Sequence, residues 1–275
     1  MDLFQTVVLA LIQGLTEFLP VSSSAHLIFP SQLLGWPDQG LSFDVAVHFG
    51  TLAAVMIFYR HWLIDLANAF LKHPQAVMFG KAEPEHSKEL IDRVRLLRAL
   101  IIGSIPVIIG GLILEVLVPA GIRSTHVIAW ATIVFALVLW IADRYATGHK
   151  DEYTLTLQTA LIIGLAQVLA LIPGTSRSGI TIAAGLLVGL SATGSANFSF
   201  LLSIPTILAA TLLKSFELVL SPADIGWMSL IIGAVVSGCF AYLTIGWFIA
   251  FLNKVGMIPF VIYRLLLGLA LLALF

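Results

Sequence analysis

The sequence predicts an all-α polytopic membrane protein with six transmembrane helices and two re-entrant helical hairpins, arranged as an inverted-topology repeat. Three observations carry this expectation. The 275 residues are 59% hydrophobic and only 11% charged, whereas a soluble globular domain carries about 25% charged residues. Six apolar stretches approach the roughly 20 residues needed to cross a bilayer. Two further apolar segments are broken at their centres by Pro, Gly and Ser.

Segment 3–35 is long enough for two helices but too short for two full spans, with Pro20 and Ser22 to Ser24 at its middle. It reads as a hairpin that enters the membrane and turns back. Irregular backbone at that depth is tolerated where protein or a wet cavity satisfies its peptide groups, so such a hairpin should line a site. A first span follows at 41–59, then a cytoplasmic loop over 60–98 whose charged part, about 74–98, reads as a solvated connector with an amphipathic helix. Spans at 99–118 and 126–144 complete the first repeat, 1–145. Segment 157–190 is the second hairpin, with Pro173, Gly174, Ser176 and Ser178 at its centre. Spans at 195–214, 226–250 and 257–275 complete the second repeat, 157–275, and the whole 1–275 forms one membrane domain.

The repeat rests on Ala10, Leu11, Ile12, Gln13, Gly14 and Leu15 being echoed by Ala160, Leu161, Ile162, Ile163, Gly164 and Leu165, so that Glu17 stands where Gln167 stands in the second copy. Phe43 and Thr51 to Ala54 find a fainter echo in Phe198 and Thr206 to Ala209. One hairpin plus three spans per half makes the second copy inverted.

Basic residues set the orientation, because loops rich in Lys and Arg stay in the cytoplasm. Arg60, Lys72, Lys81, Lys88, Arg93, Arg95, Arg98, Arg144, Lys150 and Lys254 fall on one side, against Arg123 and Lys214 on the other. Both termini are therefore expected outside, with the first hairpin entering from outside and the second from the cytoplasm. The first residues lack the basic leader and cleavage site of a secretory signal, so Met1 is expected to begin the mature protein. A net charge of -1 argues against a nucleic-acid partner, which would demand many cations. The single cysteine, Cys239, forbids an internal disulfide and reads as packing material.

Chemistry concentrates in two polar islands. In the first, 13–26, Gln13 and Glu17 are four apart and share a helical face, Pro20 ends that helix, and Ser22, Ser23 and His26 follow closely. A carboxylate inside a membrane segment costs several kcal/mol unless paired or hydrated, which makes Glu17 a functional candidate. Hydroxyls beside an acid and an imidazole are an inventory for nucleophilic or acid–base work. In the second island, 173–181, Arg177 sits in an otherwise uncharged apolar region and needs an anion. Its rigid fork of donors suits phosphate, and Gly174, Ser176, Ser178 and Thr181 add backbone and hydroxyl donors. A helix starting near Ser178 would aim its N-terminal amides at the same anion. A Glu17–Arg177 pair would join the islands. Gln167 is a further candidate lining group, with interhelical hydrogen bonding as an equal alternative. Asp44, His48 and Glu115 read as lining groups or span-end residues, with the span-end reading preferred, Arg264 as an interface anchor rather than a ligand contact, and Gly103, Gly110, Gly111, Gly233 and Gly238 as sites of close helix packing.

The paired islands resemble the bacterial undecaprenyl-diphosphatases of the bacitracin-resistance type, in which an (E/Q)-x-x-x-E-F-x-P-V-S-S-x-x-H stretch accompanies a later P-G-x-S-R-S-x-x-T stretch. Here the first is carried by Gln13, Glu17, Pro20, Ser22, Ser23 and His26, the second by Pro173, Gly174, Ser176, Arg177, Ser178 and Thr181. Length and hydrophobic layout match over essentially the whole chain. The resemblance implies hydrolysis of undecaprenyl diphosphate to undecaprenyl phosphate and inorganic phosphate at the outer side of the bacterial inner membrane. That reaction recycles the lipid carrier for peptidoglycan synthesis and confers bacitracin resistance. It also implies a divalent metal, magnesium or calcium, with Glu17 as a ligand. Gln13 stands where glutamate is frequent, and Ser24 and Ala25 replace a common Thr-Gly pair.

On this reading Glu17, Ser23, His26 and Arg177 are catalytic, while Gln13, Ser22, Gln167, Gly174, Ser176, Ser178 and Thr181 bind the prenyl diphosphate. Three nucleophiles remain open: Ser23 activated by His26, His26 itself, or a water held by His26 and Glu17. A secondary transporter or flippase for an anionic lipid head group is the alternative that an inverted repeat equally fits, and a homodimer is left open.

Overall fold

The computed structural model describes residues 1–36, 40–79, 87–118, 124–220 and 226–275. Lys81 and Arg123, used above to orient the chain, lie outside the described residues. Among the described residues the regular structure is all helical, apart from an isolated bridge between Lys150 and Leu190.

Twelve α-helices follow one another: α1 (Leu3–Thr16), α2 (Ser23–Leu34), α3 (Gly40–Phe58), α4 (Arg60–Lys72), α5 (Pro74–Phe79), α6 (Lys88–Leu117), α7 (Thr125–Tyr145), α8 (Leu157–Val168), α9 (Arg177–Leu187), α10 (Ala192–Leu220), α11 (Trp227–Val255) and α12 (Ile258–Leu274). Five of them, α3, α6, α7, α10 and α11, are long and apolar enough to cross a membrane. The expected sixth span, α12, has 17 residues, a rise of about 26 Å against a hydrocarbon core of about 30 Å. Helix α6 begins at Lys88, eleven residues before the expected span, because Ser87 caps it by accepting from the Leu90 amide. Most of the expected charged loop is thus helix.

The two interrupted segments are both short helix–turn–short helix units. Helices α1 and α2 have 14 and 12 residues, and α8 and α9 have 12 and 11, each too short to cross alone. Asp2 and Gln5 form a capping box on α1, and Thr156 with Thr159 forms one on α8, so each first arm has a defined start.

The arms pack on helices distant in sequence. Helix α1 lies on α11 and α8 lies on α6, while α3 packs on α11 and α10, α7 on α12 and α9. Glycine makes the first two contacts possible. A Cβ on Gly14 would meet the Ser237 carbonyl and one on Gly164 the Gly103 backbone, so the backbones touch directly, as small residues allow in lipid. Gly233 and Gly238 likewise admit Phe43 and Gly50. Gly111 is looser, its nearest foreign atom being 3.9 Å from a Cβ there. Around the centre, Phe18, Phe200, Phe248 and Phe260 form a chain of ring contacts with centroids 5.4, 5.7 and 5.2 Å apart. Many large apolar side chains, such as Phe49, Leu112, Trp130, Leu212 and Leu266, remain exposed, which is the surface a lipid solvent requires. Cys239 is also on that exposed surface and is not the packing residue expected.

Candidate active site

The turns of the two hairpins meet, and each is built in the same way. The residue before the second arm is a serine with positive φ: Ser22 (φ 71) before α2 and Ser176 (φ 69) before α9, the two such non-glycine residues among those described. That conformation costs about 1–3 kcal/mol per residue and persists where surroundings over-determine it, commonly at functional sites. Ser176 caps α9 by accepting from the Gly179 amide at 3.2 Å. Ser22 instead offers its carbonyl to the His26 ring at 2.7 Å.

Glu17 and Arg177 join the two tips. Arg177 Nη2 donates to Glu17 Oε1 at 3.1 Å, with side chains only 12% and 9% exposed. Arg177 Nη1 donates to the Ser199 carbonyl at 3.2 Å, its Cζ lies 5.6 Å from the Phe18 ring centroid, and its Nε is buried without a partner. The fork therefore retains donors for an anion. Glu17 Oε2 accepts from Gln13 Nε2 at 2.9 Å and is the acceptor for Ser23 Oγ at 3.5 Å. Its two oxygens thus face the cation and the hydroxyl separately.

The other predicted residues fall into two groups. Ser178 Oγ donates to the Leu19 carbonyl at 2.8 Å, and Ser24 Oγ accepts from the Gly174 amide at 3.1 Å, so both tie one tip to the other. Ser22 and Ser24 hydroxyls are 3.0 Å apart, as are Ser176 and Ser178 at 3.2 Å. Thr181 stands behind Arg177, its hydroxyl donating to the Arg177 carbonyl at 2.8 Å and lying 2.7 Å from Ser199 Oγ. Gln167 is fully buried and accepts from Thr206 at 3.4 Å; none of its hydrogen bonds reaches Glu17 or Arg177.

Nor does His26 face Ser23. A carbonyl only accepts, so Nδ1 donates to Ser22 and the neutral ring presents Nε2 as an acceptor. Its partner there is the Tyr263 hydroxyl at 2.6 Å, with the two rings nearly parallel. The expectation that His26 activates Ser23 thus finds a different geometry, in which Glu17 is the base within reach of that hydroxyl. His48, read from sequence as a span-end residue, belongs to the site. Its Nδ1 donates to the Asp44 carbonyl at 2.7 Å, and Nε2 lies 3.3 Å from Gln13 Nε2 and 3.9 Å from Glu17 Oε2. Glu115 is paired with Lys214 at 2.9 Å, and both line a cavity that Asp44 and His48 also line.

A family model described as "Bacitracin resistance protein BacA" matches residues 6–270. The chain belongs to the BacA family. Relatives bearing the name undecaprenyl-diphosphatase include one from Teredinibacter turnerae, 51% identical over 98% of this chain and 97% of its own length. One from Alcanivorax borkumensis is 50% identical over 99% and 98%, and one from Nitrosococcus oceani is 47% identical over the full length of both.

Within this BacA-family chain, sequence reasoning missed two neighbours on α12. Tyr263 holds His26, and Arg264, expected at the membrane interface, is fully buried against both hairpin turns. An interface anchor would keep its guanidinium in water. This one has exchanged water for backbone carbonyls. The signal that would have found it is an arginine inside a 17-residue apolar helix with no acid on that helix.

Proposed function

We propose that this chain hydrolyses undecaprenyl diphosphate to undecaprenyl phosphate and inorganic phosphate, recycling the lipid carrier for cell-wall synthesis and conferring resistance to bacitracin. The observation that carries the reading is the buried Glu17–Arg177 pair joining two serine-rich turns. It supplies an anion fork and a proton acceptor at one point inside an apolar chain.

The geometry supports Ser23 as nucleophile. Its Oγ attacks the terminal phosphorus, its proton passes to Glu17 Oε2, and the bond from that phosphorus to the bridging oxygen breaks. Undecaprenyl phosphate leaves as an anion, and water then hydrolyses the phosphoserine to release phosphate. Arg177 stabilises the charge on the transferred phosphoryl group through the donors not engaged by Glu17 and Ser199. Ser176, Ser178, Ser22 and Ser24 line and brace the two turns. His26, Thr181 and Gly174 act through backbone and neighbours, holding the strained turns rather than gripping substrate. Gln167 supports α8 from outside the constellation.

A divalent metal fits the donor set in one place. Gln13 Oε1 is a buried acceptor without a partner, next to the Glu17 carboxylate. No cluster of three His, Cys, Asp or Glu side chains exists among the described residues. Magnesium is commonly held by one or two carboxylates plus substrate phosphates, so Glu17 and Gln13 would hold it with the diphosphate completing its shell. When bound it would neutralise charge on the phosphates.

The two hairpins are read as re-entrant halves of an inverted repeat, with the site opening to the outer face and both termini outside. The matched serine geometry of the turns and the cross-packing of α1 on α11 and α8 on α6 support this. The test is phosphate release from undecaprenyl diphosphate by the purified chain, with and without chelator. Arg177→Ala is expected to abolish release. Full activity of that variant would remove the assignment, and binding of substrate without phosphate release by the unaltered chain would favour a flippase.

A further inference from the structure

Arg264 makes an arrangement that packing alone does not require. Its guanidinium donates from Nε to the Thr132 carbonyl at 3.3 Å, from Nη1 to the Pro20 carbonyl at 3.4 Å, and from Nη2 to the Gly174 and Thr175 carbonyls at 2.9 and 2.8 Å. Pro20 belongs to the first hairpin turn, Gly174 and Thr175 to the second, and Thr132 to α7. All four partners are carbonyl oxygens from three separate parts of the chain. No carboxylate is among them, although burying a cation costs several kcal/mol that an acid would ordinarily offset. Room is kept for it, since a Cβ on Gly179 would fall 2.7 Å from Nη1.

The gripped peptides are close to the reacting groups. Pro20 is three residues after Glu17, and Gly174 and Thr175 are three and two before Arg177. Besides the Glu17–Arg177 pair itself, two other ties cross between the tips, Ser178 to the Leu19 carbonyl and the Gly174 amide to Ser24. Both are single neutral hydrogen bonds, each worth about 1 kcal/mol. The planar fork of Arg264 contacts both turns at once, in a fixed geometry. We infer that Arg264 is a positioning residue that locks the two hairpin turns in register, so that Glu17 with Ser23 and Arg177 meet across the terminal phosphoryl group. The inference rests on the diphosphatase reading for its kinetic consequence, but not for its structural one.

A misplacement of about 1 Å in such a site costs about 100-fold in rate. Arg264→Gln is therefore expected to lower kcat about 100-fold, and Arg264→Lys, whose ammonium cannot span both turns, about tenfold, each with KM for undecaprenyl diphosphate in detergent micelles changed less than about threefold. Combining either variant with Ser24→Ala should give a loss that departs from the product of the single losses, because both remove ties across one seam. A purely structural role would instead lower the melting temperature and leave kcat per folded molecule intact. Should Arg264→Gln fail to fold, Arg264→Lys decides alone: native melting with unaltered kcat overturns the inference.

A second readout does not depend on catalysis. Spin labels at the exposed positions Leu15 and Leu169, in a Cys239→Ser background, report the distance between the two hairpins. The distribution should be narrow in the unaltered chain and broadened by Arg264→Gln. Broadening in a chain that releases no phosphate would sink the diphosphatase reading and keep the clamp. Unaltered width together with unaltered kcat would sink the clamp and keep the enzyme.

Discussion

Glu17 divides its work between two oxygens, one on Arg177 and one toward Ser23 and Gln13, and this division makes the residue-scale consequences specific. Ser23→Ala removes the hydroxyl and leaves the ion pair, so phosphate release should fall by about 10³-fold with melting unaffected. Retention of more than a tenth of the activity would point to water as the nucleophile. Tyr263→Phe takes from His26 Nε2 its one hydroxyl donor and should cost about 1 kcal/mol of alignment, a loss in kcat of about fivefold, measured in the same assay. Gln13, Glu17, Ser22, Ser23, Arg177 and Ser178 were legible because a polar group in an apolar run is expensive and so stands out. His48, Tyr263 and Arg264 were not. His48 lies on α3 and the other two side by side on α12, and what they hold comes from partners up to 244 positions away, so a local pattern marks Arg264 as an unpaired cation without saying what it grips.

At the scale of elements, the same residue type solves the same problem twice. Gly14 on α1 and Gly164 on α8, the glycines aligned by the internal echo, are where the first hairpin arms press on α11 and α6. What a Cβ would strike is backbone in both cases, which cannot swing aside as a side chain would. Gly164→Ala should therefore destabilise by about 1–3 kcal/mol, read as a lower melting temperature in detergent. It should also loosen the second turn, whereas Gly111→Ala, whose Cβ would meet only the Leu171 side chain at ordinary contact distance, should be close to neutral. The hairpins were legible from their length and central breakers. The early start of α6 was not, because charged residues at 88–98 read as loop although Ser87 caps them into helix. The bounds of α12 were legible to within one residue at each end, against the expected 257–275.

Across the whole molecule, a second polar network links elements outside the hairpin turns. Tyr59 donates to Asn197 Oδ1 at 2.8 Å, and Asn197 Nδ2 donates to Glu152 Oε1 at 3.3 Å. Glu152 lies in the connection between α7 and α8, only 4% exposed, so it ties that connection to α10 and to the start of α4. Desolvation by burial raises its carboxyl above the usual carboxylate range, against the lowering effect of hydrogen bonds to its own backbone and to Asn197. A carboxyl that binds its proton more tightly when folded stabilises the fold fully below its ordinary pKa. That contribution is lost as pH rises through the raised value. The melting temperature of the unaltered chain should therefore fall as pH is raised from about 4 to 8, by about 2–4 °C for each kcal/mol involved. Glu152→Gln keeps the acceptor for Asn197 and removes the ionisation, so it should flatten that slope and raise stability at the alkaline end. Equal slopes in both proteins would show that the buried acid does not couple proton binding to the fold. The phosphate-release site should keep its activity in this variant at all pH values where both chains are folded, because none of the hydrogen bonds of Glu152 touches either hairpin turn.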